Sequence, residues 1–134
     1  MQSEWIGDGL LTIPSSVTKN KREHAIPLTQ ECARYAHLLV ALDPSDRAYN
    51  TWSKPKAELD TRSGVSNWVI HDLRRTVSTN LAELNVAPHV IDRILNHATG
   101  TLHRTYNRYQ YLTEMRAALE VWEGKLLAVV GAQA

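Results

Sequence analysis

Residues 68–84 read WVIHDLRRTVSTNLAEL, and the spacing of their apolar side chains decides what the chain is built from. Leu73, Val77, Leu81 and Leu84 recur in steps of three and four, the spacing that lines one buried face, which predicts a helix from about His71 to Leu84. At 100° per residue His71 and Arg74 lie about 60° apart on one flank of that face, with Asp72 and Arg75 pointing further from the core. A cation in the first turn of a helix opposes the helix dipole by roughly a few tenths of a kcal/mol. Two arginines there are not a choice for stability alone, and they imply a negatively charged neighbour.

Outward from this helix the pattern is mostly helical. Pro88 opens a further helix through Val90, Ile91, Ile94 and Leu95, which ends in the polar loop NHATG. Residues 101–109 are expected to form another short helix, and the last segment carries Leu112, Met115, Leu119, Trp122, Leu126 and Val129 in alternating steps of three and four, despite Gly124. On the N-terminal side, residues 50–62 give a short helix interrupted by Pro55, then a loop at SGVSN. Thr29 is an N-cap candidate for a helix through Leu42, with Tyr35, Leu39 and Leu42 on one face and Asp43–Pro44 as its stop. GLLTIP (9–14) and HAIPL (24–28), joined by the polar SSVTKNKRE, suggest a β-hairpin or a three-stranded meander with Lys19, Asn20, Lys21 and Arg22 near its turn. The expected fold is mainly α with a small N-terminal antiparallel β-hairpin or sheet, a single domain over residues 1–134.

Composition bounds the function. A chain of 134 residues with 43% hydrophobic and 22% charged residues is long enough for one domain with a real core. Its single cysteine, Cys32, makes no internal disulfide and falls among Ala33, Ala36 and Leu39, so it reads as a small buried hydrophobe in a reducing cytoplasm. The apolar runs LLVAL and KLLAVVGA are too short for a bilayer, and MQSEWIGDGL lacks the regions of a signal peptide, so the protein is expected to be cytoplasmic with no membrane partner. A net charge of +1 gives no general argument for nucleic acid; any such case rests on local clusters.

One set of polar residues is left over: Lys19 in the hairpin turn, His71 and Arg74 on one helix, His97 in a loop, and Tyr106 nine residues later. Singly, each has a bland reading as solvated surface, structural histidine or core aromatic. Together they suit transfer of a phosphodiester to a tyrosine. A phenol with a pKa near 10 is about one part in a thousand ionised at pH 7, so it needs help losing its proton and a polarised phosphorus to attack. An arginine fork binds two non-bridging oxygens, a histidine adds a donor, and a lysine can protonate a leaving oxygen. No metal or other cofactor is required. A metal-dependent hydrolase using His71, His97, Asp72 or His103 lacks an HxxxH or carboxylate cluster with ligand spacing, and a purely structural helical module leaves the basic residues as surface decoration.

HDLRRT (71–76), ILNHATG (94–100) and the TYNRY that follows (105–109) resemble the catalytic signature of the tyrosine recombinases, specifically phage and genomic-island integrases. TKNKREHAIPL resembles their β-hairpin, and WSKPKAELDTRSGVSNW the segment leading into the HxxR helix, so the resemblance covers nearly the whole chain. It implies the integrase catalytic-domain fold, in part. It implies His71 and Arg74 as the HxxR pair, His97 as the second histidine, Lys19 as the hairpin lysine and Tyr106 as the nucleophile. Tyr109 and Tyr111 are rivals by proximity, though the spacing from His97 and the match of TYNR favour Tyr106; Lys21 is the rival to Lys19. Lys21, Arg22, Arg75, Arg104 and Arg108 are expected to contact DNA.

The reaction so implied is site-specific recombination at double-stranded attachment sites through a 3′-phosphotyrosyl link and a free 5′ hydroxyl. Family members carry a first catalytic arginine upstream of the hairpin lysine and a helical DNA-clamping domain before it, and no arginine precedes Lys19 here. The chain is therefore expected to be the C-terminal part of a catalytic domain, feeble or inactive by itself, or else a DNA-binding remnant that interferes with assembly of a complete recombinase. The family assembles as a tetramer on DNA and often passes its C-terminal segment to a neighbour, so a monomer or a swapped dimer is expected without DNA; the alternative packs Leu112 to Val129 on the chain's own core.

Overall fold

The computed structural model describes residues 2–41, 53–97 and 109–131. After a 3₁₀ turn at Ser3–Trp5 come three strands, β1 (Ile6–Gly7), β2 (Leu10–Ile13) and β3 (His24–Pro27). Helices follow: α1 (Gln30–Ala41), α2 (Ser53–Ser63), α3 (Ile70–Glu83), α4 (Pro88–Ile94) and α5 (Leu112–Gly131). The chain is mainly helical with a small three-stranded antiparallel sheet in the order β1-β2-β3.

The sheet is the meander form of the two expected. Leu11 pairs with Ile6 on one side and Ile26 on the other, and Ile13 pairs with His24. β1 exists because Asp8 (φ 51°) and Gly9 (φ 70°) both take the left-handed conformation of a tight two-residue hairpin turn. Gly9 also faces Arg116 of α5, whose guanidinium donates to the carbonyls of Gly9 (2.9 Å) and Leu28 (3.1 Å) and so fastens the sheet to the last helix.

The core lies where α3, α4 and α5 meet. Leu81, fully buried at 0% exposure, packs with Val90, Ile91, Ile94, Leu95, Met115 and Ala118. Val77, Val86, Tyr111, Leu119 and Trp122 close around them. Pro55 does not interrupt α2: it sits in the first turn, where a helix has no use for the amide that proline lacks. Lys56 then ties α2 forward, bonding Asp60 at 2.6 Å and the Ser66 carbonyl at 3.1 Å and lying 4.9 Å from the centre of the Trp68 ring.

Several expected faces are uncovered. Leu73, placed by periodicity on the same stripe as Leu81, is 55% exposed, because the apolar packing of α3 against α4 and α5 is at Val77 and Leu81. Cys32 is exposed, not buried, and Tyr35 and Leu39 face outward while Ala36 is the buried residue of α1. On α5 the stripe is buried at Met115 and half-buried at Leu112, Leu119 and Trp122, but Leu126 and Val129 are exposed. The reading that packs the whole stripe on the chain's own core therefore holds only for its first half. Thr29 is not a simple N-cap either: its hydroxyl donates to Glu123 (2.5 Å), and that carboxylate from α5 accepts the Glu31 amide (2.9 Å), satisfying the start of α1 from a distant helix. No helix among the described residues is long and apolar enough to cross a membrane.

Candidate functional site

Two helices that meet in the core end in the same way. After α3, Asn85 is left-handed (φ 59°), its amide donates to Ala82, and the Val86 amide reaches back to Leu81. After α4, Asn96 is left-handed (φ 52°), its amide donates to Arg93 (3.1 Å), and the His97 amide reaches back to Asp92 (2.9 Å). Both are Schellman endings, in which the residue after the left-handed one usually adds an apolar contact. Val86 does so, packing on the core. At the equivalent place α4 carries the exposed His97.

The imidazole of His97 is held as firmly as its backbone. Its Nδ1 lies 2.9 Å from Asp92 Oδ1, and because a carboxylate only accepts, Nδ1 is the donor and Nε2 of the neutral ring an acceptor. Two residues earlier, Arg74 of α3 donates from Nη2 to the Leu95 carbonyl. That bond satisfies an orphan carbonyl at the end of α4 and fixes the guanidinium beside the His97 turn.

The basic hairpin loop reaches the same place. Thr18, buried, shapes the loop by donating to the Arg22 carbonyl (2.6 Å) and accepting the Arg22 amide (2.9 Å). Lys21 is left-handed (φ 55°) and, with Lys19 and Arg22, exposed. Between the lysines, Asn20 donates to Asn96 Oδ1 at 2.7 Å, joining the hairpin to the His97 turn across 76 residues of sequence. At the base of the hairpin His24 Nε2 lies 3.3 Å from the Ile94 carbonyl. Burial lowers the pKa of His24, and the cations of Arg74 and Arg93 lower it further against the raising effect of the Ile94 bond.

His71 is exposed in the first turn of α3, one turn before Arg74. Its neighbour Asp72 accepts the Val69 amide (2.9 Å) and pairs with Arg75 (3.2 Å); these bonds, the amide above all, hold the carboxyl below its usual range. Asp72 thus caps the helix, and Arg75 is engaged on the exposed flank. Tyr111 packs on the core with its ring 4.8 Å from His89 and 5.9 Å from Arg93, and Tyr109 donates to Glu114 at 3.3 Å. Tyr106, Arg104, Arg108 and His103, with the helix expected at 101–109, lie outside the described residues.

The described contacts therefore bring Arg74, His97 and the Lys19 loop to one end of α4, with His71 carried alongside on α3. Sequence reasoning overlooked His24, Asn20 and Asp92. Asp92 had a readable signal, an acid five residues before a histidine at a helix end; His24 and Asn20 act on partners about 70 residues away and had none. Among the described residues no three His, Cys, Asp or Glu side chains group as metal ligands would.

No family model and no solved structure gives a significant match to the chain. Among curated proteins, prophage integrase IntA of Escherichia coli (strain K12) is 27% identical over 131 residues, covering 90% of this chain. The chain spans 30% of the length of that protein, so it is similar, over nearly all of itself, to one part of a prophage integrase.

Proposed function

We propose that the chain carries the strand-transfer end of an integrase catalytic domain: it cleaves and rejoins a DNA strand at an attachment site through a 3′-phosphotyrosyl intermediate on Tyr106, and does so feebly by itself. The observation that carries this reading is the convergence at the end of α4, where Arg74 is held on the Leu95 carbonyl and His97 is oriented by Asp92 beside it. A guanidinium has five donors, and one spent on a carbonyl leaves a fork for two oxygens of a phosphate. His71 adds a further donor from α3, while neutral His97, its Nδ1–H given to Asp92, offers Nε2 as a proton acceptor at the same end of α4. Such donors stabilise charge as the phosphorus becomes five-coordinate, and an ordered set does so without reorganising.

Proton transfer closes the reaction. The Tyr106 hydroxyl passes its proton to His97 Nε2 as its oxygen bonds to phosphorus, the bond from phosphorus to the 5′ oxygen breaks, and Lys19 supplies the proton that leaves a free 5′ hydroxyl. Asn20, bonded to the His97 turn, brings both neighbouring lysines to this end of α4, and the resemblance of the hairpin favours Lys19 over Lys21. Lys21, Arg22 and Arg75, all exposed, with Arg104 and Arg108, supply phosphate contacts along the duplex. The partner is double-stranded DNA, with the tetrameric assembly of complete integrases as the working form.

The test is covalent capture. Incubated with a nicked duplex of the attachment site, the chain is expected to form a slow protein–DNA adduct that maps to Tyr106 and vanishes in Tyr106→Phe. A second reading, DNA binding without chemistry, draws on the exposed basic loop at Lys19–Arg22; salt-sensitive binding with no adduct would select it.

A further inference from the structure

The basic hairpin touches the end of α4 at two points, and neither involves a residue that the proposed reaction uses. Asn20 in the loop bonds the Asn96 side chain, and His24 at the base bonds the Ile94 carbonyl. Ile94 and Leu95 supply two of the carbonyls that a helix end leaves without an intrahelical partner. One is taken from α3 by Arg74, the other from β3 by His24. A helix of only seven residues is thus gripped from both sides immediately before the turn that presents His97.

From this arrangement we propose that His24 is a positioning residue, whose donation from Nε2 to the Ile94 carbonyl registers the basic hairpin against α4 so that Lys19 and His97 share one rim. Its meaning for strand transfer rests on the reading above; its effect on the hairpin does not. A half-buried imidazole serves better here than a lysine or arginine, because a permanent charge would stand beside Arg74 of α3 and Arg93 of α4, both of which act on His24. Arg116 of α5, also near the sheet, is engaged by the carbonyls of Gly9 and Leu28. Neutral His24 keeps the Nε2 donor. Acid adds a second proton at Nδ1 and sets a cation against the two arginines, so the register should loosen as pH falls.

Two readouts on the chain separate this inference from the reading on which it builds. The first is NMR-detected amide exchange at Arg22, Asn96 and His97 in the free protein, for wild type, His24→Leu and His24→Gln, as a function of pH. His24→Leu is expected to speed exchange at these amides by a few-fold to about tenfold, the worth of one net hydrogen bond. His24→Gln, whose amide can donate to the same carbonyl, should restore protection and remove the acid sensitivity. The second is adduct formation on the nicked duplex, expected to fall in His24→Leu and to recover in His24→Gln. Unchanged exchange in a folded His24→Leu, or no recovery in a folded His24→Gln, overturns the inference even if wild type forms the adduct. Exchange that follows His24 while wild type forms no adduct supports the positioning role and overturns the reading of the site alone.

Discussion

His97 and Val86 occupy one position of one helix-ending motif, and they differ in that Val86 packs on the core while His97 is exposed. Val86 is where stability puts an apolar side chain; His97 gives up that contact, and Asp92 restrains its ring instead. Arg74 is a similar case, since its only described partner is a backbone carbonyl that water could otherwise serve. Arg74→Ala is accordingly expected to slow adduct formation by on the order of 10²–10³-fold, as for other lost transition-state donors. The melting temperature should shift by no more than a few degrees; a fall matching that of a core truncation would place Arg74 in the scaffold. His24 adds a pH dependence with a definite sign. Its folded pKa lies below the unfolded value of 6.5, so the unfolded chain binds more protons between the two values. Stability is fully present above about pH 6.5 and is lost as pH falls through the folded pKa. Urea midpoints measured from pH 7.5 down to pH 5 should decline in wild type and decline less in His24→Gln.

At the level of elements, the sequence announced its helices through their ends. Pro88 opens α4 and the pattern around Leu81 marks α3, as expected from the residues alone. The three-stranded meander was one of the two forms expected, but the place of its strand β1 was not, although the signal is present: Asp8-Gly9 is the pair that a tight hairpin turn demands. The two asparagines at helix ends were equally legible in principle, and they allow a clean test. Asn85→Ala forces alanine into a left-handed conformation and is expected to cost about 1 kcal/mol. Asn96→Ala should cost that and also remove one of the two hydrogen bonds between the hairpin and the end of α4, whereas Asn96→Gly keeps the backbone and loses only the Asn20 bond. Denaturant unfolding gives the energies, and amide exchange at Arg22 reports the hairpin. An Asn96→Gly protein whose hairpin is as protected as wild type would mean that the Asn20 contact does not hold it.

For the molecule as a whole, periodicity identified which residues share a face and not which faces are covered. Leu73 and Leu81 lie on one stripe of α3, yet the apolar packing against α4 and α5 is at Val77 and Leu81. Leu81→Ala is expected to cost about 2–5 kcal/mol, while Leu73→Ala should stay within about 0.5 kcal/mol; equal losses would mean that the first turn of α3 is buried in solution. Leu126 and Val129 on α5, and Tyr35 and Leu39 on α1, went the same way for the same reason. Glu123 and Arg116 could not be read at all, because their partners on α1 and the sheet lie some 90 to 107 residues away in sequence. What the sequence did carry was the set of chemical groups, and the fold gathers Arg74, His97 and the Lys19 loop at one end of α4. The central claim is that this end of α4 serves a tyrosine nucleophile. It is tested most directly by incubating the chain with a nicked attachment-site duplex, digesting the product, and locating the nucleotide-bearing peptide by mass spectrometry. A 3′-phosphotyrosyl adduct on Tyr106, absent in Tyr106→Phe and strongly reduced in Arg74→Ala, is the predicted result; an adduct that persists in Tyr106→Phe, or DNA binding with no adduct at all, would contradict it.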